Sequence, residues 1–331
     1  MKALIFDKSG LENLKLKEID KPEPGPHEAL IRVKMAGVNP IDYRVVTSMK
    51  VTPMPHIPGA EISGIVEEVG ERVTRTKPGE RIVVYGKIFD ETCDLCLSGK
   101  ETICRNGGIL GVVTNGGFAE YVSLPEKNVF RIPDWMSWEI AASVPVAALT
   151  PYHALREAGL RLGEFVVVVG ASGNTGTFAV QFAKKAGAKV IAVSRKEWLK
   201  DFGADYVVRP EEMVEKVGEI TGGNMADVVV NSIGVEMWEK SFSVVGPGGR
   251  YVTFGALTGG EVKLNLSSFY NKHIKLLGTT GGSREELLEV MEVCKDCKVK
   301  LWKVFGLEEG RKALESLSAR DRDGRIFIKV S

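Results

Sequence analysis

The hydrophobic rhythm of this chain changes part-way along. Up to about residue 125, short apolar-rich stretches that read as strand candidates fall at 30–34, 62–69 and 81–85 among others. Pro22, Pro24, Gly25, Pro26, Pro78 and Gly79 punctuate them. Short apolar-rich stretches between turn formers predict β structure with many turns. From about 126 to 281 the pattern becomes continuous apolar runs separated by helical periodicity. The runs fall at 166–169, 189–193, 206–208, 227–231, 250–254 and 275–278. Strands that read as unbroken apolar runs are covered on both faces, as in a parallel sheet flanked by helices. An amphipathic helix follows at 283–297, carried by Leu287, Leu288, Val290 and Met291, and a short α/β tail closes at 326–330. The expected fold class is therefore α/β, with a doubly wound parallel sheet and a second, β-rich domain.

One junction carries chemistry. The run at 166–169 ends in Gly170-Ala171-Ser172-Gly173-Asn174-Thr175-Gly176, and a helical pattern follows through Phe178, Val180, Phe182, Ala183 and Ala186. Glycines let a backbone approach a pyrophosphate, and the N–H groups of a first helical turn face the anion. A site for NAD usually ends its next strand in an acid, which holds the ribose 2′-hydroxyl. Here that strand ends in Ser194-Arg195-Lys196, with Arg209 after the third strand. A hydroxyl and cations suit a 2′-phosphate, so the expected cofactor is NADP(H). Glu197 is an acid close to that site.

Composition narrows the alternatives. The 331 residues are 44% hydrophobic and 26% charged, enough for two soluble domains. A net charge of +1 gives no reason to expect nucleic acid or a membrane surface as partner. No apolar run approaches the roughly 20 residues of a membrane span. Residues 1–6 read as a short strand and not as a signal peptide, so a cytoplasmic protein is expected. Glutamine occurs once, at Gln181, a sparsity associated with heat-adapted proteins. The five cysteines, Cys93, Cys96, Cys104, Cys294 and Cys297, are an odd, clustered set that points to metal before disulfides. Cys294 and Cys297 read as partly buried thiols on a helix, or as a disulfide in a hyperthermophile.

Several segments together resemble the medium-chain dehydrogenase/reductase superfamily over essentially the whole length. They are residues 36–42 (Ala-Gly-Val-Asn-Pro-Ile-Asp), 58–64 (Pro-Gly-Ala-Glu-Ile-Ser-Gly), 116–122 (Gly-Gly-Phe-Ala-Glu-Tyr-Val), the glycine turn, and 248–252 (Gly-Gly-Arg-Tyr-Val). The first resembles the zinc-independent quinone oxidoreductase branch. The resemblance implies a GroES-like catalytic domain at 1–125 and 282–331 and a Rossmann NADP(H)-binding domain at 126–281, with the active site in the cleft between them. It places Thr150, Phe254, Gly255, Ala256, Gly278, Thr279, Thr280 and Arg325 near the cofactor.

The same resemblance addresses zinc twice. Family members with catalytic zinc carry Cys where this chain has Asn39 and His where it has Ala60. An amide and a methyl do not replace those ligands, so no catalytic zinc is expected. None of His27, His56, His153 and His273 stands at a matching position. Asp90-x-x-Cys93-x-x-Cys96-x7-Cys104 resembles the structural zinc lobe, with Asp90 replacing its first cysteine. Carboxylate is a zinc ligand, and Glu91 is the alternative fourth donor. A lobe that has lost its metal is the other possibility.

Without a metal to polarise a carbonyl, hydride goes most readily to an acceptor that is already electrophilic, such as a quinone or enone. The expected function is an NADPH-dependent reductase of such small-molecule acceptors. Asn39 is the expected donor to the developing oxygen charge. Tyr43 is the expected hydrogen-bond or proton donor, with packing as its alternative, and Asp42 orients the loop. The rivals are an enoyl-thioester reductase, a zinc alcohol dehydrogenase with atypical ligands, and an NADPH-binding protein without turnover. A homodimer or homotetramer is expected through pairing of the last strand, residues 273–278, with its symmetry mate.

Overall fold

A computed structural model describes all 331 residues, and the chain divides into two compact units. The first comprises Met1–Val146 and Ser283–Ser331; the second is Ala147–Gly282.

The first unit is built on the strand Glu28–Gly37. It pairs antiparallel with Ile62–Val69, Tyr121–Pro125 and Arg325–Lys329. Leu301–Gly306 adds to Arg325–Lys329 in parallel, and Arg81–Val84 and Val129–Arg131 complete the far side. Two register shifts against Ile62–Val69, at Leu30/Ile31 and Val33/Met35, let the central strand bend. That strand is buried on both faces, which explains its weak alternation. Ile31, Val33 and Ala36 join Leu4, Phe6, Phe118 and Ile328 in one core. On the other face Met35 packs with Phe327 and with Ala142 of the helix Trp138–Ser143.

That helix accounts for the position of the unit boundary. Ser137 Oγ caps it by accepting the Ile140 N–H at 3.3 Å, and Ser63 Oγ donates to the Trp138 carbonyl at 3.2 Å. Residues 126–146 thus cover the sheet of the first unit, although the change of sequence rhythm near 125 grouped them with the second domain. The helix expected at 283–297 spans Arg284–Val293 and ends in the tight turn Cys294–Asp296.

The second unit holds six parallel strands. Their spatial order is Tyr206–Val208, Lys189–Val193, Phe165–Val169, Ala226–Asn231, Val245–Thr253, Lys275–Gly278. In chain order this is 3-2-1-4-5-6, the doubly wound arrangement. Val167, Val169, Ile191 and Val193 pack with Met213, Val217, Trp238 and Phe242 in its core. Val245–Thr253 begins earlier than the sequence pattern indicated, running through Gly246, Gly248 and Gly249 with a register shift. The strand order reverses between Phe165–Val169 and Ala226–Asn231. In open sheets of this kind ligands bind at that point, beyond the carboxyl ends of the strands. No helix is long and apolar enough to cross a membrane.

Candidate functional site

The glycine turn emerges at this reversal point. Phe165–Val169 delivers residues 170–173 to the carboxyl edge, and the helix Asn174–Lys185 starts with Gly173 at its N-cap and no side-chain cap. A Cβ at Gly176 would lie 2.2 Å from the Gly170 carbonyl, so only glycine allows the first helical turn to approach this closely. Ser194 Oγ donates to Ser172 Oγ at 3.0 Å and accepts the Lys196 N–H at 3.2 Å, tying the second strand end to the turn.

The sheet brings the remaining expected cofactor residues of this unit to the same edge. Arg209 follows Tyr206–Val208, Phe254, Gly255 and Ala256 follow Val245–Thr253, and Thr279 and Thr280 follow Lys275–Gly278. Thr279 Oγ1 is buried with no hydrogen-bond partner in the protein, which suits a hydroxyl that meets a ligand. Thr150 is buried on the helix Leu149–Glu157. Arg195 is exposed and pairs with Glu211 at 2.9 Å, whereas Glu197 pairs with Lys200 at 2.9 Å.

A polar cluster lies inside the first unit. Asn39 caps the helix Pro40–Thr47, and the Asp42 carboxylate accepts the Asn39 N–H at 2.8 Å and the Ala60 N–H at 3.0 Å. Positions 39 and 60 are thereby held side by side. Asn39 Nδ2 donates to Glu61 Oε2 at 2.7 Å, and Arg325 donates to the same oxygen at 2.5 Å. Glu61 Oε1 accepts the N–H of Val146, which lies in the wide π-type turn Val144–Ala148. All four side chains are almost inaccessible to solvent, Arg325 at 2%. A Cβ at Gly37 would sit 2.1 Å from Glu61 Oε2, so the ion pair requires glycine there.

Burial pushes the Asp42 pKa up to about 7, against the two N–H bonds that favour its charged form. Arg325, expected near the cofactor, is engaged with Glu61. Its Nε and one terminal nitrogen are nevertheless buried without a partner in the protein, a donor capacity that fits a bound anionic or carbonyl group. Tyr43 is 38% exposed on the same helix. His56 is fully buried, with ring nitrogens 3.0 Å from the Pro53 carbonyl and 2.8 Å from that of Gly111. It ties loops together and offers no free ligand atom.

The third group is the lobe at 90–104. One donor atom each from Asp90, Cys93, Cys96 and Cys104 lies within 4.8 Å of every other. Cys93 Sγ and Cys104 Sγ are 3.8 Å apart, the separation that Zn–S bonds of about 2.3 Å give in a tetrahedron. The Cys93 N–H, the Asn106 amide and the Thr92 N–H hold the Asp90 carboxyl well below the usual carboxylate range. Three sulfurs and an ionised carboxylate fit zinc. Glu91 points elsewhere, its oxygens 3.3 Å from Lys127 and 3.1 Å from Arg284. Cys294 is buried and Cys297 half-buried outside this lobe.

Sequence reasoning did not single out Glu61, Val146 or Glu211. Glu61 left a trace, an acid immediately before the buried first half of the strand Ile62–Val69. The other two act through contacts remote in sequence, Val146 through its backbone.

Comparison with known proteins agrees with this arrangement. Residues 25–134 match the alcohol dehydrogenase GroES-like domain, and residues 175–296 match the zinc-binding dehydrogenase domain. The chain is 34% identical to an NAD-dependent alcohol dehydrogenase of Sulfolobus acidocaldarius, over 100% of both chains. It is 28% identical to an acryloyl-coenzyme A reductase of Sulfurisphaera tokodaii, over 99% of this chain and 100% of that one. A thermostable alcohol dehydrogenase from Pyrobaculum aerophilum, solved with cobalt and zinc bound, is 44% identical with a TM-score of 0.93, over 99% of both chains.

Proposed function

The chain is an oxidoreductase belonging to the medium-chain dehydrogenase/reductase superfamily, and we propose that it passes hydride from NADPH to a quinone or α,β-unsaturated carbonyl without a catalytic metal. One observation carries this reading. At the two positions that hold zinc ligands in metal-dependent members, this chain has an amide committed to Glu61 and a methyl group. The charges around them are already matched inside the protein, Glu61 by Arg325.

When bound, the dinucleotide supplies the hydride. The glycine turn and the start of the helix Asn174–Lys185 would hold its pyrophosphate, and Ser194, Arg195, Lys196 and Arg209 would receive the 2′-phosphate. Glu61 fixes the Asn39 carboxamide, as a donor aimed at a developing oxyanion requires. Asp42 positions the loop through two backbone bonds, and the accessible Tyr43 hydroxyl returns a proton to the reduced acceptor. Asp90, Cys93, Cys96 and Cys104 would hold one zinc ion, which cross-links the lobe and takes no part in the reaction.

The similarity to an acryloyl-coenzyme A reductase favours a second reading, a conjugated thioester as acceptor. We also propose a homo-oligomer. Lys275–Gly278 ends its sheet with Leu276 exposed, an edge suited to pairing with a second copy. A solution mass of 36.1 kDa would refute it.

The test is NADPH oxidation against quinones, enones and enoyl thioesters, with simple aldehydes as contrast. Turnover confined to conjugated acceptors is expected. Turnover of simple aldehydes would overturn the proposal, and tight binding without turnover would leave a binding protein.

A further inference from the structure

We propose that Glu211 tempers the cofactor preference of this chain by competing with the 2′-phosphate for Arg195. The inference rests on the reading that Arg195, Lys196 and Arg209 receive that phosphate.

Glu211 follows the edge strand Tyr206–Val208, in the turn that also carries Arg209. Its Oε2 lies 2.9 Å from an Arg195 terminal nitrogen, and both side chains are largely exposed. Its own backbone N–H, then Arg195 and Arg209, hold the Glu211 carboxyl below the ordinary range, so it is ionised at neutral pH. A carboxylate at this spot acts on the two dinucleotides in opposite ways. It repels a 2′-phosphate, which carries close to two negative charges, and it occupies the guanidinium that would neutralise it. A ribose 2′-hydroxyl is a donor, and a carboxylate accepts from it, the contact by which acids select NAD in this fold. The cations thus favour NADPH and Glu211 draws the preference back toward NADH. The acid adjacent in sequence, Glu197, is paired with Lys200.

The experiment measures dissociation constants for NADPH and NADH by calorimetry on the wild type, E211Q, R195A and the double variant. Glu211 is a surface residue, and matching thermal midpoints verify folding. E211Q should raise the NADPH-to-NADH affinity ratio about fivefold, the scale of an exposed ion pair. R195A should lower the ratio, and in that background E211Q should lose most of its effect. Raised salt should shrink the E211Q effect. A ratio unmoved by E211Q but lowered by R195A would overturn the role of Glu211 and leave the 2′-phosphate reading standing. A ratio unmoved by R195A would overturn that reading, and the inference with it.

Discussion

The lobe at 90–104 and the cluster around Glu61 both gather polar side chains, but they balance charge in opposite ways. In the lobe, three thiols converge with an ionised carboxylate that the Thr92 and Cys93 N–H groups and the Asn106 amide hold. Around Glu61, the carboxylate meets Arg325, the Asn39 amide and the Val146 N–H, and both Asp42 oxygens are bonded to backbone. A set of thiols around one carboxylate suits a metal ion, whereas a carboxylate already paired with a buried guanidinium has less need of one. One chain thus carries a metal-ready site in the lobe and, on the proposed reading, a metal-independent one in its interior. Which residues converge matters less than whether their charges are matched.

The largest effect should come from breaking the interior balance. Arg325→Ala leaves Glu61 buried and uncompensated, at an expected cost of about 3–5 kcal/mol by chemical denaturation. Adding Glu61→Gln should recover much of it. A loss below about 1 kcal/mol would mean that solvent reaches the pair.

Removing the ion from the lobe comes next. Chelation, or Cys93→Ser, should lower stability by about 4 kcal/mol relative to protein with zinc a thousandfold above its dissociation constant. Proteolytic cleavage should then appear first between 90 and 104. Unchanged stability and cleavage would assign the lobe no metal.

Asp42 sharpens the comparison through pH. Its folded pKa of about 7 stands above the value near 4 of an unfolded aspartate. Between these values the native chain holds a proton that the unfolded chain has released. The stability from this group is therefore complete below about pH 4 and is lost as pH rises through about 7, by at most about 4 kcal/mol. Asp42→Asn should flatten that slope in denaturation midpoints. An unaltered slope would place its origin elsewhere.

The smallest effect should be at the rim of the lobe. Arg284 contacts Glu91 at 3.1 Å, and its backbone N–H donates to Glu101 at 2.9 Å, linking the lobe to the helix Arg284–Val293. Arg284→Gln should speed zinc release to a chromogenic chelator about two- to fivefold, as for a partly exposed ion pair. No change would show that the lobe holds its ion independently of that helix.

Much of this was legible in sequence because it is local. The six strands of the second unit appear as apolar runs, and the glycine turn and the basic end of the next strand are each contiguous. Asp90, Cys93, Cys96 and Cys104 lie within one lobe, so spacing reveals them. The strand Leu301–Gly306 escaped notice because it is half exposed and shows no alternation. Glu61 and Arg325 meet across 264 positions, and Arg195 and Glu211 meet across a strand crossover. Such pairs arise only when strands align, and no spacing rule anticipates them.

The most direct test of the contrast is the number of zinc ions per chain, counted by native mass spectrometry together with elemental analysis after purification with zinc present. The account expects one ion per wild-type chain and none in Cys93→Ser. Two ions per chain, or one that survives Cys93→Ser, would place metal outside the lobe and contradict a metal-independent reaction.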